Sequence, residues 1–377
     1  MGTQNILFDG TVFAIAETNA AARTGVFFLL RDLALALEST RGVHLSLTTA
    51  PDFMPLLDQA VSGTALQSTL DPGRRLRVGL EPWAFLSTFH PVHPQLHTIP
   101  QLSVFQIVYD LSFHACPDLV KQSGLEFEQA VIGSIATAGH AVCISENTRN
   151  DVIKFFGFPP ERASVVYPAV RSDLERAPEG AGRGQAPAWV GLPPGAQYVL
   201  ALSTLEPRKN LATSLKAFLT ACEAAPEAPL YFVVGGVDGW GDQMRLFDEA
   251  PDHLKERVRL LGYVTDPLLP GLLEGALCLL YPSLYEGFGL PPLEAMSRGV
   301  PVIVSNAGSL PEVTGDAGVV ADVFDHQTMG EAIARWARDP AERDAVGARG
   351  RAQAARFSWY DSANKLVEIM QANVKPG

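Results

Sequence analysis

The sequence predicts an α/β protein with two doubly wound domains, and three observations predict it. Short apolar runs alternate with amphipathic stretches of helical length in both halves of the chain. A segment rich in Ala, Gly and Pro, without apolar periodicity, interrupts that alternation near the middle. The length of 377 residues exceeds what one core of about 150 residues would fill.

In the first half "NILFDG" reads as a strand, "VFFLLRDLALALE" (Val26 to Glu38) as a helix and "VHLSLTT" as a second strand. Then come "VFQIVYD" and "HAVCIS" as strands, "ENTRNDVIKFF" as a helix and "ASVVYPAV" as a strand. Strand and helix in alternation imply a parallel sheet with helices on both faces. Ligands of such sheets bind beyond the carboxyl ends of the strands, where Asp9, Asp110 and Ser145 fall. The linker candidate is "RSDLERAPEGAGRGQAPAWVGLPPG", Arg171 to Gly195. After it come "YVLALST", a helix from about Asn210, "PLYFVVGG", "VRLLGYV", "GALCLLYPS", "VPVIVSN" and "GVVAD", followed by a closing segment, Trp336 to about Gln371, that is helical by pattern. The expected division is 1–172, a linker at 173–195, and 196–357, with a C-terminal helix of about 358–377 packing back on the first domain.

Composition narrows the function classes. With 47% hydrophobic and 19% charged residues the chain is globular, and a net charge of −12 opposes nucleic-acid binding, which needs clustered cations. The one basic run, "RRLR" at Arg74 to Arg77, reads as a solvated loop or as a contact with anionic lipid. Cys116, Cys143, Cys222 and Cys278 lack CxxC spacing and read as reduced core residues. No basic region followed by an apolar run opens the sequence, and no uncharged stretch approaches the roughly 18 residues that span a bilayer. The expectation is a cytoplasmic protein, with any membrane association peripheral at the inner face of the plasma membrane.

Two motifs carry chemistry. In "STLEPRKN" (Ser203 to Asn210) Arg208 and Lys209 stand where a strand hands over to a helix, a setting suited to a diphosphate; the alternative is a polar loop with solvated charges. Pro207 and Asn210 fix that turn, with Asn210 as helix cap. In "YPSLYEGFGLPPLEAM" Glu286 follows an apolar run, "GFGL" bares backbone amides, and the prolines start a helix carrying Glu294 one turn in. One carboxylate suits the paired hydroxyls of a ribose and the other a sugar; alternatively both glutamates only favour a helix N-terminus. His114 reads as structural or as a substrate contact. "SLPEV" (Ser309 to Val313) reads as a capping box, Ser309 with Glu312.

"STLEPRKN", the stretch "YPSLYEGFGLPPLEAMSRGVPVIVSNAGSLPEVTGDAG" and "FSW" (Phe357 to Trp359) resemble the retaining glycosyltransferases of family 4, which have the GT-B fold. The likeness continues through "RTGVFFLLRDLALALE", "VYDLSFHACPDL" and "ISENTRNDV", and covers nearly the whole chain in the family's order. It implies two Rossmann-like domains facing a central cleft, 1–172 on the acceptor side and 196–357 binding the nucleotide sugar. It implies that Arg208 and Lys209 bind the donor diphosphate and stabilise its growing charge, with Glu286 on the donor sugar and Glu294 on the ribose. The amides of Gly287, Phe288, Gly289 and Leu290 would hold sugar and phosphate, Gly25 would admit backbone close to phosphate or acceptor, and Gly262 and Tyr263 would lie at the base.

The sequence has no Asp-x-Asp, so the resemblance implies no metal and no other cofactor. The expected partners are a nucleotide sugar, GDP-mannose first, and a saccharide or lipid-linked saccharide acceptor; UDP- or dTDP-sugars are the alternative donors. Two departures stand out. Tyr109 precedes Asp110 where the family often has histidine, so a role resting on imidazole does not transfer, while Asp110 keeps its place at a strand end and is expected among the catalytic-site residues. Val26-Phe27-Phe28 follows Gly25 where a basic-aromatic pair is usual, which suits packing or a lipid-facing acceptor site. A dinucleotide-dependent oxidoreductase would need G-x-G-x-x-G after its first strand, which "NILFDG" does not supply. A non-catalytic sugar-binding homologue is the remaining rival.

Overall fold

A computed structural model of the chain describes residues 3–18, 25–49, 82–120, 123–178, 188–239, 241, 245–248 and 255–374. The chain divides into two compact units, Met1–Pro117 with Lys121–Arg171 and Phe357–Gly377, and Asp118–Val120 with Ser172–Arg356.

The first unit is a six-stranded sheet, β1 (Gln4–Asp9), β2 (Val43–Thr48), β3 (Trp83–Ser87), β4 (Leu102–Val108), β5 (His140–Cys143) and β6 (Ala163–Val165), in the order β2-β1-β3-β4-β5-β6. Its pairings are all parallel. β1, β3 and β4 are buried along their whole length, as strands covered on both faces must be. β1 therefore sends the chain to β2 on one side, while β3 lies on its other side. β3 is absent from the sequence reading, as is the helix Ser123–Ile135: a five-residue strand buried on both faces has no alternation to betray it. The helix Gly25–Ser39 buries Phe28, Leu29, Leu30 and Leu33, and Phe27 meets Phe13 edge-on at 6.0 Å. The guanidinium of Arg171 sits 3.5 Å over the Phe28 ring. Of the two readings of Val26 to Phe28, the structure favours packing.

The second unit repeats the plan with β7 (Gln197–Leu202), β8 (Leu230–Gly235), β9 (Val258–Gly262), β10 (Cys278–Tyr281), β11 (Val302–Ser305) and β12 (Val319–Ala321), in the order β12-β11-β10-β7-β8-β9. Counted from β7, this is the 3-2-1-4-5-6 order of a dinucleotide-type fold, whose topological switch point lies between β7 and β10. The helices Leu211–Ala224 and His326–Arg338 cover one face, where Phe218 stacks on Phe232 at 5.5 Å and Trp336 is buried.

Two expectations change in detail. The closing helical segment is three helices, His326–Arg338, Pro340–Ala354 and Trp359–Asn373. Asp339 ends the first and caps the second, accepting from Glu342 N at 2.9 Å ahead of Pro340, and Ser358 caps the third. The last helix belongs to the first unit: Trp359 Nε1 donates to Val170 O (2.8 Å) and Ser362 Oγ to Tyr167 O (2.6 Å). The linker candidate contains a short helix, Ser172–Arg176, with Leu174 buried. Arg298 fastens that helix to the second unit, donating to Leu174 O (3.3 Å), Ala177 O (3.0 Å) and Pro178 O (2.7 Å) while paired with buried Glu274. Cys143 and Cys278 are buried and Cys116 and Cys222 half-buried, all as free thiols. Arg74 to Arg77 lie outside the described residues.

Candidate functional site

The carboxyl ends of β7, β10 and β11, three neighbouring strands, bring together residues far apart in sequence. After β7 the turn Pro207–Lys209 delivers Arg208 and Lys209; after β10 the loop from Pro282 delivers Glu286. Lys209 Nζ donates to Glu286 Oε1 at 2.6 Å and to the Tyr281 phenol at 3.0 Å. Arg208 Nη1 lies 3.2 Å from Glu286 Oε2 and donates to Tyr285 O at 2.7 Å, while its Nη2 donates to Glu206 Oε1 at 2.7 Å. All four charges are largely withdrawn from water, the side chains of Lys209 and Glu286 being 10% exposed, that of Arg208 13% and that of Glu206 20%.

Burial alone would push the Glu286 carboxyl up. The charges of Lys209 and Arg208 and the bond from Lys209 outweigh it and hold the pKa at about 2. Burial lowers the Lys209 ammonium below its ordinary range, and Glu286 works against that. Burial and the neighbouring Glu286 charge raise the Tyr281 phenol well above 10, so it stays protonated. Counting charges, Arg208 and Lys209 are balanced by Glu206 and Glu286. The cluster is a neutral, preorganised array rather than a bare cationic hole.

The backbone around it is held with equal care. Asn210 is the one non-glycine residue of positive φ (55°) among the described residues, and its amide donates to Pro282 O (3.0 Å) and Val323 O (2.7 Å). It stands at the start of the helix Leu211–Ala224 without a side-chain cap bond, so its work is to tie the Arg-Lys turn to the Glu286 loop, not to cap. Ser309 is not half of a capping box either. Its amide (3.1 Å) and hydroxyl (3.0 Å) both donate to Glu286 O, fixing the backbone of the carboxylate. Gly308, at φ 57°, permits this approach, since a Cβ there would stand 2.5 Å from Glu286 O.

Glu294 is buried in the helix Leu290–Ser297, which follows Gly289 (φ 105°) with prolines in its first turn. Gly287, Phe288, Gly289 and Leu290 form the connection from Glu286 into that helix. Gly262 closes β9 at φ 65°, and Tyr263 beside it is 55% exposed. Gly25 and Asp110 belong to the first unit, Gly25 as the first residue of its helix and Asp110 just past β4, where Oδ1 accepts from Ser112 N at 3.0 Å. His114 is structural: Nδ1 lies 2.6 Å from Glu128 Oε2 and the ring packs on Phe155 and Phe156. Burial raises Glu128 to about 7 against the bonds from His114 and Phe113.

Sequence reasoning missed Tyr281, Glu206, Gly308 and the role of Ser309. Tyr281, as the last residue of β10, carried the same strand-end signal as Asp110.

Comparisons with known proteins agree with this fold. Residues 186–353 match the family described as glycosyl transferases group 1. The O-antigen chain mannosyltransferase B of Escherichia coli is 36% identical over 266 residues, 69% of this chain and 68% of that protein. The serotype-specific mannosyltransferase WbdA of E. coli is 28% identical over 245 residues, 64% of this chain and 30% of its own length. Anabaena Alr3699/HepE, solved in complex with UDP and glucose, superposes with a TM-score of 0.68 at 17% identity, covering 98% of this chain and 100% of that one. That likeness shows the fold, GT-B. The matched region contains Arg208, Lys209, Glu286 and Glu294, and the relative at 36% identity is covered over two thirds of its length; the chain belongs to the group 1 glycosyl transferases and is a glycosyltransferase enzyme.

Proposed function

We propose that this enzyme moves a hexosyl unit, mannose from GDP-mannose in the first instance, to a hydroxyl of a saccharide or lipid-linked saccharide, with retention of configuration and without a metal. The observation that carries the proposal is the buried Lys209–Glu286–Arg208 array at the switch point of the second sheet. When a glycosidic bond to a diphosphate breaks, negative charge grows on the departing phosphate. Two fixed cations in a water-poor pocket stabilise that charge more in the transition state than in the ground state. Arg208 and Lys209 would take this part in place of a divalent ion. Glu286, fixed through Ser309, would meet hydroxyls of the donor sugar. Glu294, one turn into its helix, would hold the ribose, and the amides of Gly287 to Leu290 the phosphates. Gly262 and Tyr263 would lie at the base. No nucleophile is assigned, so front-face attack assisted by the leaving phosphate is the route we favour.

The mannose assignment is supported by the mannosyltransferase names of the E. coli relatives. A UDP-sugar is the second reading, favoured by the UDP and glucose of the HepE complex. On this reading the enzyme works in the cytoplasm, and any membrane association is peripheral; among the described residues no helix is long and apolar enough to cross a bilayer.

The test is a thermal-shift panel of GDP, UDP and dTDP followed by transfer assays with the matching sugars. A ligand at 100 times its Kd should add about 2.7 kcal/mol. Turnover should survive EDTA; loss in EDTA that manganese or magnesium restores would refute the metal-free reading. Product of inverted anomeric configuration would refute retention.

A further inference from the structure

The first sheet has its own switch point, between β1 and β3, where a doubly wound sheet opens a crevice beyond its strand ends. The residue pair just past β3 is Thr88-Phe89. Thr88 is fully buried, and its hydroxyl donates to the carbonyl of Asp9 (3.0 Å) and lies 3.3 Å from Asp9 Oδ2, at the end of β1. Its carbonyl accepts from the Tyr109 hydroxyl at 2.6 Å, at the end of β4. One residue is thus bolted to the ends of both neighbouring strands, and the next presents an aromatic ring that is 38% exposed.

That ring is not loose. Phe127, from the helix Ser123–Ile135, lies against it at 5.2 Å, Tyr109 flanks it at 6.5 Å and His90 meets it edge-on at 5.2 Å. Two polar groups of the same loops, His90 against the ring and Asp110 next after Tyr109, have hydrogen-bonding capacity in reserve. Among the described residues, Asp110 accepts only from Ser112 N, through Oδ1, and the exposed His90 imidazole bonds to no protein group. A rigid aromatic face with an imidazole against it, and a carboxylate on the residue that follows the flanking tyrosine, fits a pyranose ring. Its C–H face is electropositive enough to stack on π density, and its hydroxyls radiate from the rim toward acceptors.

We propose that Phe89, backed by Phe127 and set by Tyr109, is a stacking platform for a sugar ring of the acceptor saccharide, with Asp110 and His90 receiving its hydroxyls. The proposal rests on the reading above that the acceptor is a saccharide. It gives Tyr109 a purpose: its phenol reaches the Thr88 carbonyl and fixes the residue before the platform.

The test uses the full chain with α-linked mannobiose as acceptor and whichever of GDP-mannose or UDP-glucose the unaltered enzyme turns over. Phe89→Leu keeps the apolar bulk and removes the π face; Phe89→Trp keeps both. We expect Phe89→Leu to raise the acceptor KM about tenfold, with donor KM and the thermal shift by GDP or UDP unchanged, and Phe89→Trp to stay near the unaltered enzyme. Acceptor KM unchanged in Phe89→Leu, or donor and acceptor KM rising together, overturns the platform while leaving the transferase reading intact. An unaltered enzyme that neither shifts with GDP or UDP nor transfers sugar overturns that reading instead.

Discussion

Glu286→Gln tests the neutral array most directly. The carboxylate lies 2.6 Å from Lys209 Nζ and 3.2 Å from Arg208 Nη1, and these neighbours bring its pKa from 4.5 to about 2. At about 1.4 kcal/mol for each tenfold change in proton affinity, that is a stabilisation of about 3 kcal/mol, present above the unfolded-state value of 4.5 and lost as pH falls toward 2. Glutamine keeps the shape and removes the charge; Arg208 keeps Glu206, and the buried cluster is left with one uncompensated positive charge. Stability at pH 7 should fall by about 3 kcal/mol, or roughly 6 to 12 °C in Tm, and the variant should lose the share of the parent's acid-side decline that Glu286 contributes between pH 5 and 2. A nucleoside diphosphate returns negative charge to the same cations, so GDP or UDP at fixed concentration should raise the Tm of the variant more than that of the parent. Transfer should fall by at least about 100-fold. Differential scanning fluorimetry across pH, with and without ligand, reads all the thermal terms. A variant that melts with the parent, or gains less from the ligand, would show that Glu286 does not neutralise the array and sink this account of the site.

Tyr281→Phe removes the phenol that takes one of the three Lys209 donors. The ammonium then pivots about its bond to Glu286, and kcat should fall about tenfold with donor KM nearly unchanged; equal losses in both would mark a packing effect. Arg298→Met removes the cation paired with buried Glu274 and the donor to the carbonyls of Leu174, Ala177 and Pro178. Denaturant unfolding should show a loss of about 3 to 5 kcal/mol, partly recovered in Arg298→Met with Glu274→Leu. His140, buried at the start of β5, titrates at about 4 because burial disfavours its charged form, and Arg162 adds to this. The unfolded chain therefore binds the extra proton between pH 6.5 and 4, and stability declines as pH falls through that window. His140→Gln, which can still reach Ser164, should flatten that part of the profile.

How far the site was legible depended on distance along the chain. The Arg-Lys turn and the Glu-Gly-Phe-Gly loop each announced themselves locally, through a strand end, a glycine turn and a proline-started helix. Their pairing did not, because Lys209 and Glu286 are 77 residues apart and nothing in either segment names the other. The same holds for Ser309, whose local pattern argued for a cap while its bonds go to Glu286, 23 residues before it. Asn210 misled for the reverse reason: its type and position suit a cap, but two carbonyls from other loops claim its amide. In the sheets, strands flanked by turn residues could be read from composition. β3 could not, since Pro82 precedes it and every one of its side chains is buried.

The chain leaves its first unit after Arg171 and returns at Phe357, and this has a consequence for synthesis. Emerging from a ribosome, the stretch from Ser172 to Arg356 is continuous and nearly everything its unit needs is already at hand. The first unit, begun earlier, must wait. Until Trp359–Asn373 arrives, the helix Gly25–Ser39 and β1 lack the element that packs on them, and the carbonyls of Tyr167 and Val170 lack their donors. The part translated first is therefore finished last. Lesions within Phe357 to Asn373 should act on the maturation of the sheet that bears Phe89, although they follow directly on the unit that holds Glu286.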